Sequence, residues 1–311
     1  VLVAGAPAPA RAEALRLATW AGDFSRKGPG LLLRDLSRDP PLAAFDTIAE
    51  AAPDVLVLTD FDFDAGAVTL GAVAEALAAR GLDYPHLFVA RPNTGMPTGR
   101  DLDGDGYLGG PRDAQGYGWF SGQGGQAILS RHPLRMAADH SAVLWKDVPD
   151  SAIGADDPAP DIQRLASTAF WAIAVDAPTG ALTLLTVGAT PPVFDGPEDR
   201  NGRRNRDEVL FWTHILTGPE APSGPVALIG NLNLDPVAGE GWHDAVRAVL
   251  DHPRLQDPQP GAVTATWDST GPMRVSYVLP DVALRVVAQG VTPPAEDAGP
   301  HGLVWVDVVR P

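Results

Sequence analysis

Cysteine is absent from the 311 residues, which excludes a disulfide, a thiolate metal site and a thiol nucleophile. Basic residues are scarce: 23 Lys and Arg stand against 39 Asp and Glu, for a net charge of −16. Such a field repels polyanions, so nucleic acid is a disfavoured partner unless a local basic patch overrides it, and its plainest consequence is solubility. Long apolar runs are missing as well. Beyond the first residues none approaches the roughly 20 needed for a membrane helix, so no membrane span is expected. No internal repeat and no linker divides the chain. No initiator Met is present, and residues 1–12, VLVAGAPAPARA, read as the end of an apolar run closed by Ala10-Arg11-Ala12, a small-x-small cleavage pattern. The expectation is a signal-peptide remnant over 1–12, a single domain over 13–311, and a periplasmic or extracellular protein. The other reading of 1–12 is a disordered Ala/Pro leader.

What is present is enough for a large core. Hydrophobic residues make up 45% and charged residues 20%, the balance of a soluble globular protein. Leu15 to Trp20 alternates as a first strand, and Asp54 to Thr59 is an apolar run of the kind buried on both faces. Phe45 to Ala52 and Leu70 to Ala79 carry apolar residues at helical spacing, as does Arg204 to Leu216 with Val209, Trp212 and Leu216 on one side. Trp242 to Leu250 reads as a shorter helix. Strands are expected at His86–Ala90, Gln126–Ser130, Arg274–Leu279, Ala283–Val286 and Leu303–Val308. Phe170–Asp176 and Ala181–Ala189 make a hairpin around Pro178-Thr179-Gly180. Arg91 to Gly125 is too long for an ordinary connection and is expected to fold as an ordered loop. Asp147 to Gln163 reads as surface loop. About ten strands and four helices imply an α/β fold of packed mixed sheets with helices outside.

The most informative stretch is Val226 to Pro236, VALIGNLNLDP. An apolar strand stops at Gly230 and opens into Asn231-Leu232-Asn233, placing polar groups at a sheet edge. It resembles the GDFNLDP turn of the endonuclease/exonuclease/phosphatase superfamily. LRLATW, PDVLVLTDFDFD, GGQAILSRHPL, RVSYVLP and HGLVWVDV follow that family's order. Thr190–Trp212 and the loop NTGMPTGRDLDGDG are similar to a secreted bacterial branch of it. The resemblance implies a four-layer α/β-sandwich of two packed mixed β-sheets flanked by helices, and divalent-metal-dependent phosphoester hydrolysis with Mg²⁺ or Mn²⁺.

That chemistry needs oxygen ligands for the cation, a carboxylate-oriented base and donors to the phosphoryl oxygens. Carried over by position, the resemblance puts Asp60 at the metal Glu, Asn231 at the water-orienting Asp, Asn233 at the retained Asn, and His301 at the retained His. Ala21 replaces a first-strand Asn, Gly188 a His, and Ser276 and Pro300 two Asp. Thr168 and Phe170 stand where Lys and His are expected. Ser276 is read on the pleat face of Arg274 and Val278. These positions, Ala21, Asp60, Gly188, Asn231, Ser276 and His301, are expected to gather at one mouth at the sheet ends. Asn201, Arg203, Arg204 and Asn205 form either an anion cradle at a helix start or a set of caps and ion pairs.

Asp101-Leu-Asp103-Gly-Asp105-Gly106 has the opening of a calcium loop, with Arg112 where the closing Glu belongs and Asp113 as nearest replacement. The same run also reads as an Asp/Gly turn. Two functions follow. One is a degenerate family member kept as a binding or structural module, with a protein or small phosphorylated ligand as partner. The other is an active, phosphatase-like metal phosphoesterase using relocated ligands such as Asp62, Asp64 or Asp235.

Overall fold

The computed structural model describes residues 14–38, 42–294 and 298–310, so the leader expected over 1–12 lies outside the described residues. In chain order the elements are β1 (Leu15–Trp20), α1 (Leu31–Arg38), α2 (Leu42–Ala51), β2 (Val55–Phe61), α3 (Val68–Ala78), β3 (His86–Val89), β4 (Gly125–Ser130), β5 (Leu134–Asp139), β6 (Trp171–Ala177) and β7 (Gly180–Gly188). There follow α4 (Arg200–Thr217), β8 (Val226–Asn231), α5 (His243–Leu250), β9 (Ala265–Trp267), β10 (Gly271–Met273), β11 (Ser276–Pro280), β12 (Arg285–Thr292) and β13 (Leu303–Val309). One sheet has the order β12-β13-β1-β2-β4-β3, a second β11-β8-β7-β6-β5, and β9 and β10 form a separate ribbon. Each large sheet is mixed, with one parallel pair at its centre, β1 with β2 and β7 with β8.

Three apolar clusters define four layers. Ala18, Trp20, Leu56 and Leu58 pack under Phe45, Ile48, Leu70, Val73 and Leu77 of α2 and α3. Leu17, Val57, Ile128, Leu184, Ile229, Val278 and Val304 meet between the sheets. Leu185, Val187, Leu228 and Tyr277 pack under Val209, Trp212, Val246 and Val249 of α4 and α5. Strands with both faces covered read as continuous apolar runs, which is why β2 and β8 stand out in the sequence.

Some elements differ from their expected form. The first helix, LLLRDLSR, was not anticipated, because three leucines at its start obscure the helical period. Strand β5 buries little, with alternate residues exposed, so it carries no apolar run to read. Strand β12 runs on to Thr292, and β11 begins at Ser276 rather than Arg274. Arg274 therefore does not share the pleat face of Ser276. Its guanidinium pairs with Asp257 at 2.6 Å and lies over the Tyr277 ring on the other face. Helix α4 starts four residues earlier than expected, at Arg200, directly after left-handed Asp199.

Candidate active site

The inter-sheet face changes character along the strands. A strand repeats its facing every second residue. Leu17, Val57, Ile128, Leu184, Ile229 and Val278 belong to the dry core. Two residues on, toward one end of the sandwich, the same faces carry Thr19, Thr59, Gln126, Thr186, Asn231 and Ser276. Thr59 lies opposite Gln126 in register, and Gly188, Asn231 and Ser276 stand side by side on β7, β8 and β11. Side chains join the two halves: Gln126 Nε2 donates to Thr168 Oγ1 at 2.9 Å, and Thr168 Oγ1 donates to Gly188 O at 2.8 Å. The expected mouth is thus a polar floor between the two sheets, and it is neutral. Thr59 Oγ1, Gln126 Oε1, Thr186 Oγ1 and Ser276 Oγ are buried there without a protein partner.

Backbone geometry fixes the turn after β8. A Cβ on Gly230 would lie 1.9 Å from Val187 O, so only glycine lets β8 approach β7 this closely. Asn231 and Asn233 then bind each other: Asn231 Nδ2 donates to Asn233 Oδ1 at 3.0 Å, and Asn233 N donates to Asn231 Oδ1 at 2.9 Å. Asn233, left-handed with φ 51°, also donates to Ala189 O at 2.7 Å. This is a self-satisfied asparagine turn, with no group able to accept a proton.

Asp60 enters from the other sheet. It is the extra residue of a β-bulge between Thr59 and Phe61, with φ 60°, and the bulge re-aims its side chain. The carboxylate leans over Gly124, where a Cβ would sit 2.7 Å from Oδ1. It opens onto a depression of about 720 Å³ that is also lined by Asp23, Ser25, Arg26, Lys27 and Gln123. Burial pushes the Asp60 carboxyl up to about 6, with the like charges of Asp62 and Asp23 acting in the same direction and Arg26 opposing. Its outer face is open to solvent, which screens these charges.

A raised folded value has a signed consequence. The stability that protonated Asp60 contributes is full below its ordinary value of 3.8 and is lost as pH rises through about 6. Asp60→Asn is expected to flatten the melting temperature over that window and to stabilise the protein at neutral pH by about 1 kcal/mol after solvent screening. A melt series in EDTA checks this; a variant that melts below the parent at neutral pH contradicts it.

His301 sits two residues before β13, in an isolated bridge to Ala265. Its carbonyl accepts Trp20 Nε1 at 2.7 Å, which ties it to the end of β1, the strand that runs into Ala21. The ring packs edge-on against Trp267 at 5.2 Å, and Nδ1 has no partner. Burial lowers the imidazole to about 4, so it is neutral at physiological pH. Pro300, where the resemblance places an orienting Asp, offers only its carbonyl, which accepts Thr266 N at 3.0 Å.

The relocated carboxylates are engaged elsewhere. Asp62 accepts Ser25 Oγ, Arg26 N and Gly124 N; Asp64 accepts Gly66 N, Val68 N and Thr69 N at the start of α3. Asp235 accepts Val237 N, Ala238 N and Arg274 N. Each stabilises backbone through both oxygens. A divalent cation of the Mg²⁺ or Mn²⁺ type requires oxygen ligands with carboxylate charge. The residues present do not make the family's ligand set: Gly188, Asn231 and Ser276 bring no carboxylate, and of the acidic neighbours of Asp60, Asp62 is engaged by Ser25, Arg26 and Gly124, leaving Asp23 at the exposed edge of the depression. Among the described residues, Asp101, Asp103 and Asp105 are the group of three or more acidic or histidine side chains whose ligand atoms lie within 4.8 Å of one another.

The arginine run at α4 is internal. Arg203 forks onto Asp157 at 2.7 and 2.9 Å. Arg204 is buried and donates to the carbonyls of Leu165, Gln115 and Arg164. Asn201 donates to Val193 O, and Asn205 to Thr190 O and Leu232 O. Their donors stitch loops to the helix, but not by the expected partners: Asp199 makes no side-chain cap bond, Arg203 pairs with Asp157 and Arg204 is buried against backbone carbonyls. Gln126 was not singled out in the sequence, and Thr168 only as the residue at the expected Lys; the signal for Gln126 was its pleat phase behind Ile128.

The loop over 91–125 is ordered. Asn93 is buried, donating to Ser141 O and Ala166 O at 2.7 Å and accepting Arg164. Asp101 accepts Gly104 N and Gly106 N. Asp113 does not join the converging group of Asp101, Asp103 and Asp105; its oxygens accept Leu102 N, Gly109 N and Gly110 N.

Comparison with curated proteins finds no match. Solved structures share the fold. A crystal structure of an endonuclease/exonuclease/phosphatase from Beutenbergia cavernae DSM 12333 is 21% identical over 96% of this chain and 72% of its own, with a TM-score of 0.64. A family protein from Bacteroides thetaiotaomicron is 14% identical over 96% and 98% of the two chains, TM-score 0.56. The human Nocturnin catalytic domain with bound sulfate is 13% identical over 97% and 95%, TM-score 0.55. The family model for the Endonuclease/Exonuclease/phosphatase family matches residues 32–300, most of the chain, and the chain belongs to that family.

Proposed function

We propose that this family member has lost most of its phosphoester-hydrolysing capacity and serves as a binding or structural module. The observation that carries the reading is the neutral floor. Thr59, Gln126, Thr186, Asn231 and Ser276 line it, Asn231 is locked to Asn233, and of the carboxylates near it, Asp60 shares its depression with Asp23 while Asp62 is engaged by backbone. Neutral amides supply neither the charge that holds a cation nor a base for water. Losing a general base alone costs about 10²–10⁴-fold. The test is hydrolysis of phosphomonoester and phosphodiester substrates with Mg²⁺ or Mn²⁺. Rates near background, unchanged by EDTA or by Asp60→Ala, support the reading. Substantial turnover abolished by both supports the active-phosphatase alternative instead.

Calcium binding at Asp101, Asp103 and Asp105 belongs to the same reading. These carboxylates converge on an exposed loop, and sites lacking a bidentate closing ligand are weak, of the order of 10⁻⁴–10⁻³ M as in extracellular modules. Millimolar Ca²⁺ is expected to raise the melting temperature and slow proteolysis within 101–106, and Asp103→Asn with Asp105→Asn to remove both effects. Identical melts and digests with and without Ca²⁺ rule the site out.

A further inference from the structure

The bulge at Asp60 carries a strain that no side-chain hydrogen bond offsets. Its φ of 60° lies in the left-handed region, unfavourable for a residue with a Cβ. Among the described residues no donor reaches its carboxylate, whereas Asp62, two residues on, is fully engaged. Asp62 also fastens the walls around Asp60. It ties Ser25 and Arg26, which follow β1, to Gly124, which precedes β4. Gln123 Nε2 adds a bond to Arg26 O at 3.0 Å, and Phe24 meets Phe61 in a parallel bridge. The depression is therefore preformed, with both walls held to the end of β2 and the bulge aiming a free carboxylate into it.

The other charges there are committed, with one exception. Arg26 pairs with Asp23 and Asp35 at 2.9 Å each and donates to the carbonyls of Asp23 and Ser25, and Arg34 pairs with Asp35. Lys27 lines the same depression and has no ion pair among the described residues. Two unpaired charges of opposite sign, Asp60 and Lys27, thus open onto one cavity without bridging each other. A divalent metal needs more carboxylate charge than Asp60 brings. An ammonium group does not: it carries a single charge and three donors, which suit one carboxylate and water. A carboxylate on the same molecule answers Lys27, whose flexible stem lets the ammonium follow it. We propose that the depression binds a small zwitterion of the amino-acid type, its ammonium on Asp60 in place of the family's metal and its carboxylate on Lys27. This deepens the reading as a binding module and rests on it.

The test is calorimetric titration of the full chain, in EDTA, with glycine, γ-aminobutyrate and ε-aminocaproate, against butylamine and butyrate. At least one amino acid binds saturably and more tightly than butylamine, and butyrate does not bind. Asp60→Asn weakens that binding by about 10-fold or more. Lys27→Met, at an exposed position, lowers the amino acid's affinity to that of butylamine and leaves butylamine unchanged. Circular dichroism melts confirm that both variants are folded. No binding by any amino acid, butyrate binding as tightly as the amino acids, or an affinity unchanged in either variant overturns the proposal. So does displacement of the bound amino acid by Mn²⁺ once EDTA is removed. Hydrolysis is assayed separately. Metal-dependent turnover overturns this proposal together with the functional reading, whereas absent binding with hydrolysis at background overturns this proposal alone.

Discussion

Arg204→Met is expected to lower the unfolding free energy by about 3–5 kcal/mol, because it orphans three buried backbone carbonyls and withdraws the positive charge that offsets the burial of Glu208. Glu208 is buried one turn on, accepting Ser167 N and Thr190 N at 2.6 Å each. Burial raises its carboxyl, and the Arg204 charge opposes that shift. Arg204 is itself lowered by burial to about 10, still cationic at neutral pH, with three backbone carbonyls around its guanidinium. The pair joins α4 to the loop over 91–125 and to the segment before β6. Lysine offers a single ammonium in place of the fork, so Arg204→Lys is expected to recover only part of the loss. Urea denaturation measures both. A loss below about 1 kcal/mol, accompanied by weaker phosphate binding, would support the anion-cradle reading instead.

The second large effect is on activity. Restoring the family residues, Ala21→Asn, Asp60→Glu, Gly188→His, Asn231→Asp, Ser276→Asp and Pro300→Asp, is expected to raise metal-dependent hydrolysis by about 10²-fold or more over the parent. The structure adds a condition. A Cβ on Gly188 would lie 2.9 Å from Thr168 Oγ1 and 3.5 Å from Gln126 Nε2, so the volume of the lost histidine is filled. Gly188→His alone should therefore destabilise the protein by about 1–3 kcal/mol through overpacking, and Thr168→Ala should relieve it. Asn231 and Ser276 face each other in register. Asn231→Asp with Ser276→Asp sets like charges directly opposite, so the pair should melt lower in EDTA and recover with Mn²⁺. The full set with Thr168→Ala is assayed for turnover and checked by circular dichroism. A folded variant no faster than the parent would show that these positions do not carry the lost chemistry.

Much of this was legible in the sequence, for physical reasons. Strands β2 and β8 are covered on both faces, and VLVLT and VALIG announce it. Gly188, Asn231 and Ser276 fall together because strand pairing and pleat phase fix them, and both can be read from the residues. Asp60 was legible as a position but not as a geometry, since a left-handed bulge has no signature in TDF. The fates of Asp62, Asp64 and Asp235 were hidden because backbone amides leave no trace in residue identity. Arg203 and Arg204 show the same limit: the sequence offers donors, and only tertiary contacts decide whether they face a ligand or a carbonyl. The filling of the Gly188 space by Thr168 and Gln126, far apart in the chain, was invisible for the same reason.

The most direct test of the neutral floor is metal occupancy. Crystals soaked in Mn²⁺ and measured for anomalous signal should show no peak between Asp60, Asn231, Ser276 and His301, with any bound ion at Asp101, Asp103 and Asp105. A well-occupied Mn²⁺ beside Asp60 at carboxylate-ligand distance would contradict the account.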